Sequence, residues 1–265
     1  MPLVQFYSKL ATMNGRKGNK INHLLKTWPA GTVATSHWFE QQDIYRQLVQ
    51  CYRKSNWIDR IGHGAFIRSG DTVGWEGAVF AVQEQSKLLV YVGGKTALQM
   101  QGYGHFLQLG EKPPVFLFGE PGKKLPLWFD AFREKVDLHY VMADLFSGRK
   151  PAGLTKKSMG TFEITLSSPE RAILEMLYLV PQEESFEEAS LLMEGLNTFR
   201  PQLVQSLLEQ CRSIKVKRLF LYLAEKQNLP WVKKINPSRV NLGKGKRSLV
   251  KGGRFDSKYQ ISVPK

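Results

Sequence analysis

The sequence predicts an α+β protein with a small N-terminal domain, residues 1–72, and a larger mixed α/β domain, residues 73–265, that includes C-terminal helices. The first part combines short amphipathic helices with one hairpin pattern, whereas the second alternates strand-like apolar runs with helical periodicity. Charge is segregated as well. Residues 1–72 carry a net +6, residues 73–210 carry −4 and residues 211–265 carry +13, within a total of +15.

Three helices are predicted in the N-terminal domain. An apolar-periodic segment starting at Ile21 forms the first and ends at a proline. The second begins at the N-cap candidates Thr35 and Ser36 and stops near Asp43. Asp43 can cap a third helix, from about Ile44 to Ser55.

A β-hairpin is expected directly after the third helix. The segment WIDRIGHGAFIR alternates apolar and polar residues, and its halves join through Gly62, His63 and Gly64. Helix, short helix, turn, longer helix and hairpin is the element order of a winged helix-turn-helix. The positive charge of residues 1–72 agrees with a nucleic-acid partner for such a unit.

The third helix divides into an apolar face and a basic face. At about 100° per residue, its apolar stripe consists of Ile44, Leu48, Cys51, Tyr52 and Ser55. Arg46, Gln50 and Arg53 lie on the opposite side. This division suits a recognition helix, which packs on its own domain while donors reach into the major groove. The candidate DNA-binding residues are Thr35, Ser36, Tyr45, Arg46, Val49, Gln50, Arg53, Lys54, Arg60, His63 and Arg68.

Separate roles are expected for these residues. Arg46 and Gln50 are the best base-reading candidates, because arginine can donate two hydrogen bonds to guanine and glutamine can pair with adenine. Tyr45 and Val49 are available for flanking or thymine-methyl contacts.

Phosphate contacts are expected further along the helix and in the hairpin. Arg53 and Lys54 can hold phosphates at the end of the helix, and Arg60, His63 and Arg68 can do so from the hairpin, whose glycines let its tip approach the backbone. The alternative for each of these residues is an ordinary solvated polar face.

The second domain is predicted to mix helices and strands. Helices are expected at Trp75–Gln85, at Thr96–Met100, from a Ser168 cap and Pro169 to Val180, at 203–211 and around 219–223. Strands are expected at Leu88–Val92, 115–118, 138–142, 161–166 and Tyr259–Val263. The last 30 residues, rich in Lys, Arg and Gly, are expected to be irregular up to that final strand.

Catalytic and cofactor motifs are missing from the sequence. The string VGGKTAL resembles a phosphate loop, but Leu89 stands where that motif requires its first glycine, so Gly93 and Gly94 are interpreted as a turn before a helix. The histidines, at positions 23, 37, 63, 105 and 139, follow no metal-binding pattern. The glutamates at 183, 184, 187 and 188 are interpreted as a solvated helix start. We expect no enzyme activity, no cofactor and no metal.

Cysteine usage and hydropathy indicate a cytoplasmic protein. Cys51 and Cys211 have no partner cysteines nearby in the sequence and are interpreted as reduced, packed thiols. The N-terminus lacks the pattern of a secretory signal, and no apolar run approaches the roughly 18 residues needed to span a bilayer.

Four stretches of the chain carry a family resemblance: TWPAGTVATSHWFEQQDIYRQLVQCYRKSNWIDRIGHGAFIR, LLVYVGGKTALQMQGYGHF, LSSPERAILEML and GKGKRSLVKGGRFDSKYQISVP. In this order they resemble the AbiEi family of abortive-infection antitoxins from type IV toxin–antitoxin systems. The resemblance implies a winged helix-turn-helix, mapped onto Thr35–Arg68, that binds inverted repeats in double-stranded DNA of its own promoter as an autorepressor. It also implies that the domain from residue 73 counteracts a co-encoded nucleotidyltransferase-like toxin, directly or indirectly.

The strongly basic C-terminal segment requires a partner of its own. It could extend the DNA contact, bind an acidic toxin surface or compete for the toxin's RNA substrate. We favour contact with a polyanion or the toxin through Lys244, Lys246, Arg247, Lys251 and Arg254. A disordered, solvated tail is the alternative.

Two further functional classes stay open. The chain could be a ligand-responsive winged-helix transcription factor without a toxin partner, which a ligand-sized pocket in the second domain would favour. It could also be a nucleic-acid-modifying enzyme that uses the winged helix as a targeting arm, which would require carboxylates or histidines clustered on one concave face.

Overall fold

The computed structural model describes residues 20–104, 112–148 and 151–265, and its mixture of helices and sheets confirms the predicted α+β class. The chain divides into two compact units. The first contains the residues up to Leu88 together with Lys124–Glu134 and Ser158–Ile164, and the second contains the rest. The first unit therefore extends beyond residue 72, the boundary expected from the sequence.

Helices and a small sheet build the first unit. Its elements are α1 (20–27), β1 (Ala34–Thr35), α2 (Ser36–Gln41), α3 (Arg46–Lys54), β2 (Ile58–Gly62), β3 (Ala65–Arg68) and α4 (Trp75–Glu84). The three strands are antiparallel in the order β1-β3-β2, with Ala34 opposite Phe66 and Ile58 opposite Arg68. This is the element order expected for a winged helix-turn-helix.

An aromatic cluster forms the core of the first unit. Trp28 and Phe39 are both 0% exposed, and their rings meet edge to face with centroids 5.6 Å apart. Phe66 of β3 packs on Phe39 with ring centroids 5.4 Å apart. The indole N–H of Trp28 donates to the carbonyl of Thr32 at 3.2 Å, so this buried polar group is satisfied. The cluster joins α1, α2 and the sheet in one core.

The starts of α2 and α3 differ in their capping. The Thr35 hydroxyl accepts the backbone N–H of Trp38 at 3.1 Å, so Thr35 is the N-cap of α2 as predicted. Asp43 does not cap α3: its φ is +56°, and α3 begins two residues later than expected, after Tyr45. Because the chain turns sharply in that left-handed conformation, Ile44 is buried ahead of the helix instead of on it.

The side chain of Gln85 completes the open edge of β1. Gln85 is 5% exposed, and its amide donates to the Val33 carbonyl and accepts from the Thr35 N–H, both at 2.8 Å. Since β1 is the edge strand of its sheet, these two bonds take the place of a missing strand. They fasten the end of α4 to β1 and explain why the first unit continues to Leu88.

Two sheets and a group of helices build the second unit. The strands of its main sheet are β4 (Val90–Val92), β5 (Pro114–Gly119), β6 (Asp137–Met142), β7 (Leu154–Ser158) and β8 (Glu163–Ser167), in the order β6-β5-β4-β8-β7. The helices are α5 (Gly94–Met100), α6 (Pro169–Leu179), α7 (Phe186–Glu194), α8 (Pro201–Gln210) and α9 (Ile214–Lys226). A small sheet near the C-terminus consists of β9 (Arg247–Ser248), β10 (Arg254–Asp256) and β11 (Ile261–Val263), in the order β10-β11-β9.

A buried carboxylate organises the centre of the second unit. Glu175 on α6 is 0% exposed and accepts from the Gly94 N–H at 3.1 Å, the Ser167 hydroxyl at 2.7 Å and the Arg171 guanidinium at 2.7 Å. Arg171 also donates to the Tyr91 hydroxyl at 2.6 Å. Glu175 therefore connects β8 and α5 to α6, with its charge balanced by Arg171. The predicted turn before α5 is confirmed, because Gly93 is the N-cap of that helix.

No helix within residues 20–104, 112–148 and 151–265 is long and apolar enough to cross a membrane.

We expect Gln85→Leu to lower the free energy of unfolding by about 2–4 kcal/mol, because the buried N–H of Thr35 and carbonyl of Val33 lose their partners. Urea denaturation measures the change. The exposed Gln202→Leu is the matched control and should shift the free energy by less than about 0.5 kcal/mol. Equal effects of the two substitutions would show that Gln85 does not hold the edge of β1.

Candidate nucleic-acid interface

Two helices and the β2–β3 hairpin of the first unit share one cleft of about 260 Å³, which we call the α3 cleft. Its lining residues are Ser36, Glu40, Ile44, Arg46, Val49, Gln50, Arg53, Arg60, His63, Gly64 and Phe66. Seven of the predicted DNA-binding residues, from the two helices and the hairpin, thus line one cleft: Ser36, Arg46, Val49, Gln50, Arg53, Arg60 and His63.

Burial on one side of α3 determines which residues face this cleft. Leu48 and Tyr52 are 2% and 5% exposed and belong to the aromatic core cluster. Arg46 and Gln50 are exposed, one helical turn apart, and Arg53 follows after a further turn. The three polar residues therefore project along the same side of the helix, away from the core.

The polar side chains of α3 differ in how they are held. Arg53 donates from Nη1 to the side-chain oxygen of Gln50 at 3.2 Å, which steadies both groups at the surface. Within the part of the chain that the structure describes, the guanidinium of Arg46 has neither a hydrogen bond nor an ion pair to another residue. Its guanidinium donors are consequently available to an external acceptor.

The tip of the hairpin is fixed beside the start of α2. The Gly64 carbonyl accepts the Ser36 N–H at 2.8 Å, and Gly64 has a φ of +70°, a conformation that glycine adopts without strain. Arg60 donates from Nε to the Gly62 carbonyl at 2.9 Å, and His63 is exposed at the tip. The hairpin thereby presents a guanidinium and an imidazole next to α3.

The side chains of some residues predicted to contact DNA make contacts within the protein instead. Val49 lines the α3 cleft but is only 6% exposed and belongs to the core cluster, so little of its side chain is open to a thymine methyl group. The Thr35 hydroxyl is occupied as the cap of α2. Arg68 donates to the Leu25 carbonyl at 2.7 Å and lies over the Trp28 ring at 5.7 Å.

The apolar stripe predicted for α3 was wrong by part of a turn. Cys51, placed on the packed side and interpreted as a packed thiol, is exposed, whereas Val49 is buried. The difference arises because α3 starts at Arg46, so the core-facing side is set by Leu48, Val49 and Tyr52. Cys211, in contrast, is buried as predicted.

The remaining candidates lie at the two ends of α3. Tyr45, the residue before the helix, is 54% exposed, and Lys54 is exposed in the last turn. Neither lines the α3 cleft. Glu40 is its acidic member, opposite three arginines, so the cleft is positively charged and complementary to phosphate.

The C-terminal basic segment is mostly irregular up to its closing strand, as predicted, apart from one 3₁₀ turn and the short strands β9 and β10, and a buried arginine holds its loops. Arg218 of α9 is 3% exposed, and its guanidinium donates to the carbonyls of Leu242, Gly243, Gly245 and Gln260 at 2.6–3.2 Å. Burial lowers the pKa of Arg218, with a contribution from the charge of Arg247. These bonds hold the loop before β9 in place.

Exposed basic side chains are numerous on this segment, and five of them are called the C-terminal basic patch: Lys244, Lys246, Arg247, Lys251 and Arg254. The two acidic residues of the segment 211–265 are both engaged elsewhere. Glu225 pairs with Lys258 at 2.6 Å, and Asp256 accepts the Tyr259 N–H at 2.7 Å. The patch therefore keeps its positive charge.

A buried ion pair in the second unit was missed by the sequence interpretation. Glu184 is 4% exposed, not solvated, and lies 3.5 Å from the amine of Lys95, which is also 4% exposed. Glu188 contacts the same amine at 2.8 Å. Burial raises the pKa of Glu184 to about 7, which the charge of Lys95 opposes. The apolar neighbours of Lys95 in α5 were the signal that its amine would be buried.

Histidines and acidic residues do not converge on a metal site among the described residues. His139 lies 3.0 Å from Asp137 and 3.2 Å from Glu183, and its ring stacks on Phe116. His105, counted among the scattered histidines, falls outside the described residues.

The second unit contains a larger cleft of about 520 Å³, whose lining includes Tyr91, Asp144, Phe146 and Arg171. This volume is sufficient for a small molecule. Two of its charged groups are paired with residues outside the lining, since Arg171 is bound to Glu175 and Asp144 lies 3.3 Å from a guanidinium nitrogen of Arg212.

Two models of one protein family match the chain. A family model described as the transcriptional regulator, AbiEi antitoxin N-terminal domain, matches residues 17–109, and one described as the transcriptional regulator, AbiEi antitoxin, type IV TA system, matches residues 112–264. The crystal structure of the RV2827C protein from Mycobacterium tuberculosis has a TM-score of 0.57 at 11% identity, over 91% of this chain and 88% of that chain. At this identity the likeness shows the fold alone. No curated protein sequence matches.

We expect the stability of the chain to depend on the protonation of Glu184. Its pKa of about 7 lies above the ordinary 4.5, so the folded state binds this proton more tightly than the unfolded state does. The stabilisation is complete below about pH 4.5 and is lost as the pH rises through 7. The side chain in Glu184→Gln stays neutral at every pH. The free energy of unfolding of this variant should therefore fall with rising pH by on the order of 1–3 kcal/mol less than that of the wild type.

Urea denaturation between pH 4.5 and 8.5 measures the effect. Glu187→Gln, a change of an exposed residue three positions further along the chain, in the first turn of α7, is the control and should keep the wild-type pH dependence. A wild-type pH dependence in Glu184→Gln would contradict the assignment.

Proposed function

Because the chain belongs to the AbiEi antitoxin family of transcriptional regulators from type IV toxin–antitoxin systems, we propose that it represses its own operon. In this proposal the first unit is a winged helix-turn-helix that binds inverted repeats in the double-stranded DNA of its promoter. The observation that carries it is the α3 cleft, where the exposed side of α3 and the hairpin present arginines on one surface.

The dimensions of α3 suit the major groove. A helix of nine residues is about 14 Å long, and its exposed side fits a groove about 12 Å wide. Arg46 is its first residue and Gln50 its middle one, and a recognition helix contacts base edges with its N-terminal residues. We assign base reading to these two residues and phosphate contact to Arg53, Arg60 and His63.

We further propose that the second unit counteracts a co-encoded nucleotidyltransferase-like toxin. The family membership of residues 112–264 supports an antitoxin role for this part of the chain. The C-terminal basic patch supplies a surface for a polyanion or an acidic partner, because its charges are exposed and its neighbouring acids are engaged. Repression of a promoter implies that the protein acts in the cytoplasm.

The family is one of transcriptional regulators and antitoxins, not of enzymes. A ligand-responsive regulator is the second candidate, and the 520 Å³ cleft of the second unit favours it. The first candidate has the stronger support, because two charged groups of that cleft, Arg171 and Asp144, are held by residues outside its lining.

We expect Arg46→Ala to weaken operator binding by about 1–3 kcal/mol and to relax specificity at one base position, because one bidentate contact is removed. Titration of the full chain against a promoter fragment and its single-base variants measures both effects.

Lys54→Ala, at the end of the same helix, is the matched control. We expect it to weaken binding to all sequences equally and to reduce the slope of log affinity against log salt by about 1. Equal specificity profiles for Arg46→Ala and the wild type would contradict the base-reading role of Arg46.

Replacing all five residues of the C-terminal basic patch with glutamine should reduce the salt dependence of promoter binding if these residues contact phosphate. Growth rescue from the co-expressed toxin is measured on the same variant. An unchanged salt slope with lost rescue would assign the patch to the toxin instead, and unchanged behaviour in both assays would leave the patch without the proposed role.

A further inference from the structure

A segment between β5 and β6 packs on the hairpin of the first unit. Lys124–Glu134 belongs to that unit although the strands before and after it belong to the second. It forms a 3₁₀ helix, Leu127–Phe132, in which Trp128, Phe129 and Phe132 are at most 7% exposed. The 3₁₀ helix lies along β2, which is an edge strand of its sheet, and so covers the open side of the hairpin.

The contact between the two elements is made by Gly62 and Trp128. A Cβ atom on Gly62 would lie 2.7 Å from the Trp128 Cβ and 3.0 Å from its Cα, so the 3₁₀ helix rests directly on the hairpin backbone. Gly62 immediately precedes His63 at the hairpin tip. The start of the 3₁₀ helix is therefore fixed beside the tip.

Leu127, the neighbour of Trp128, points outwards from this rigid support. It is 84% exposed, the highest value for a large hydrophobic residue in the described part of the chain. Lys124 is exposed three residues earlier. The acidic residues lie further along: Asp130 is paired with Arg133 at 2.8 Å, and Glu134 follows the 3₁₀ helix. The end of the segment nearest the hairpin tip is thus apolar and basic.

We propose that Leu127 and Lys124 form a second DNA-contacting element beside the hairpin, in which Leu127 enters the minor groove and Lys124 binds a backbone phosphate. This inference rests on the proposed promoter binding, since a hairpin next to a helix in the major groove faces the adjacent backbone and minor groove. Apolar side chains such as leucine are used in this groove as wedges against base steps. The exposed position of Leu127, its rigid support and the nearby lysine fit this use.

Promoter binding by the full chain tests the proposal through Leu127→Ser and Lys124→Ala. We expect Leu127→Ser to weaken binding about tenfold, comparable to the loss of one buried leucine, without changing the salt slope. Lys124→Ala should reduce that slope by about 1. Hydroxyl-radical footprints should lose protection at the minor groove flanking each half-site in Leu127→Ser. Leu191→Ser, a change of another exposed leucine on α7, should leave affinity and footprint unchanged.

The outcomes separate this inference from the proposed function. If the wild-type chain fails to bind the promoter fragment, the proposed function fails first. If the wild type binds and Leu127→Ser binds equally well with the same footprint, only the present inference is overturned. It is also overturned if Leu127→Ser changes self-association in sedimentation but not affinity per chain, because Leu127 would then join two copies. Equal melting temperatures of all variants exclude misfolding as the cause.

Discussion

Burial of one side of α3 against the Trp28–Phe39 cluster is the constraint on which the interface depends. Leu48, Val49 and Tyr52 are held in this core, and their burial fixes the rotation of the helix about its axis. The side chains one helical face away, Arg46 and Gln50 among them, are exposed as a consequence. Rotation of α3 by half a turn would bury these polar groups without partners, at a cost that apolar packing could not offset. The same cluster contacts β3 through Phe66, so the helix and the hairpin hold a fixed relation around the α3 cleft.

Several of the charged side chains that the fold buries are paired with partners. Glu175 is neutralised by Arg171, Lys95 by two glutamates, and Arg218 donates to main-chain carbonyls. Each of these charged groups is buried, and its hydrogen-bonding partners offset the cost of removing the charge from water. Some of the basic residues left at the surface lie in the α3 cleft and in the C-terminal basic patch. Others, such as Lys26, Lys87 and Lys135, are exposed outside these two surfaces, so the net charge of +15 is not confined to them.

Local signals in the sequence were sufficient to predict most helices and strands, but they did not predict contacts between residues that are distant in the sequence. The N-cap at Thr35, the hairpin after α3 and the Pro169 start of α6 were predictable because turn and capping chemistry is local. The face of α3 was misjudged because the positive φ of Asp43 delays the helix start, which the acidic residue itself does not reveal. Strand β7, LTKKS, has no apolar alternation and was missed. Burial of Glu184 and order in the C-terminal loop depend on Lys95 and Arg218, which are distant in the sequence.

The central claim is that the exposed side of α3 lies in the major groove of the promoter. A chemical nuclease attached at Gln50→Cys, in a Cys51→Ser background, tests it directly, because Cys211 is buried and the new thiol is the accessible one among the described residues. We expect cleavage confined to a few base pairs within each half-site, on both strands, in the pattern that major-groove attack produces. Cleavage spread evenly along the fragment, or confined to positions outside the inverted repeats, would contradict it.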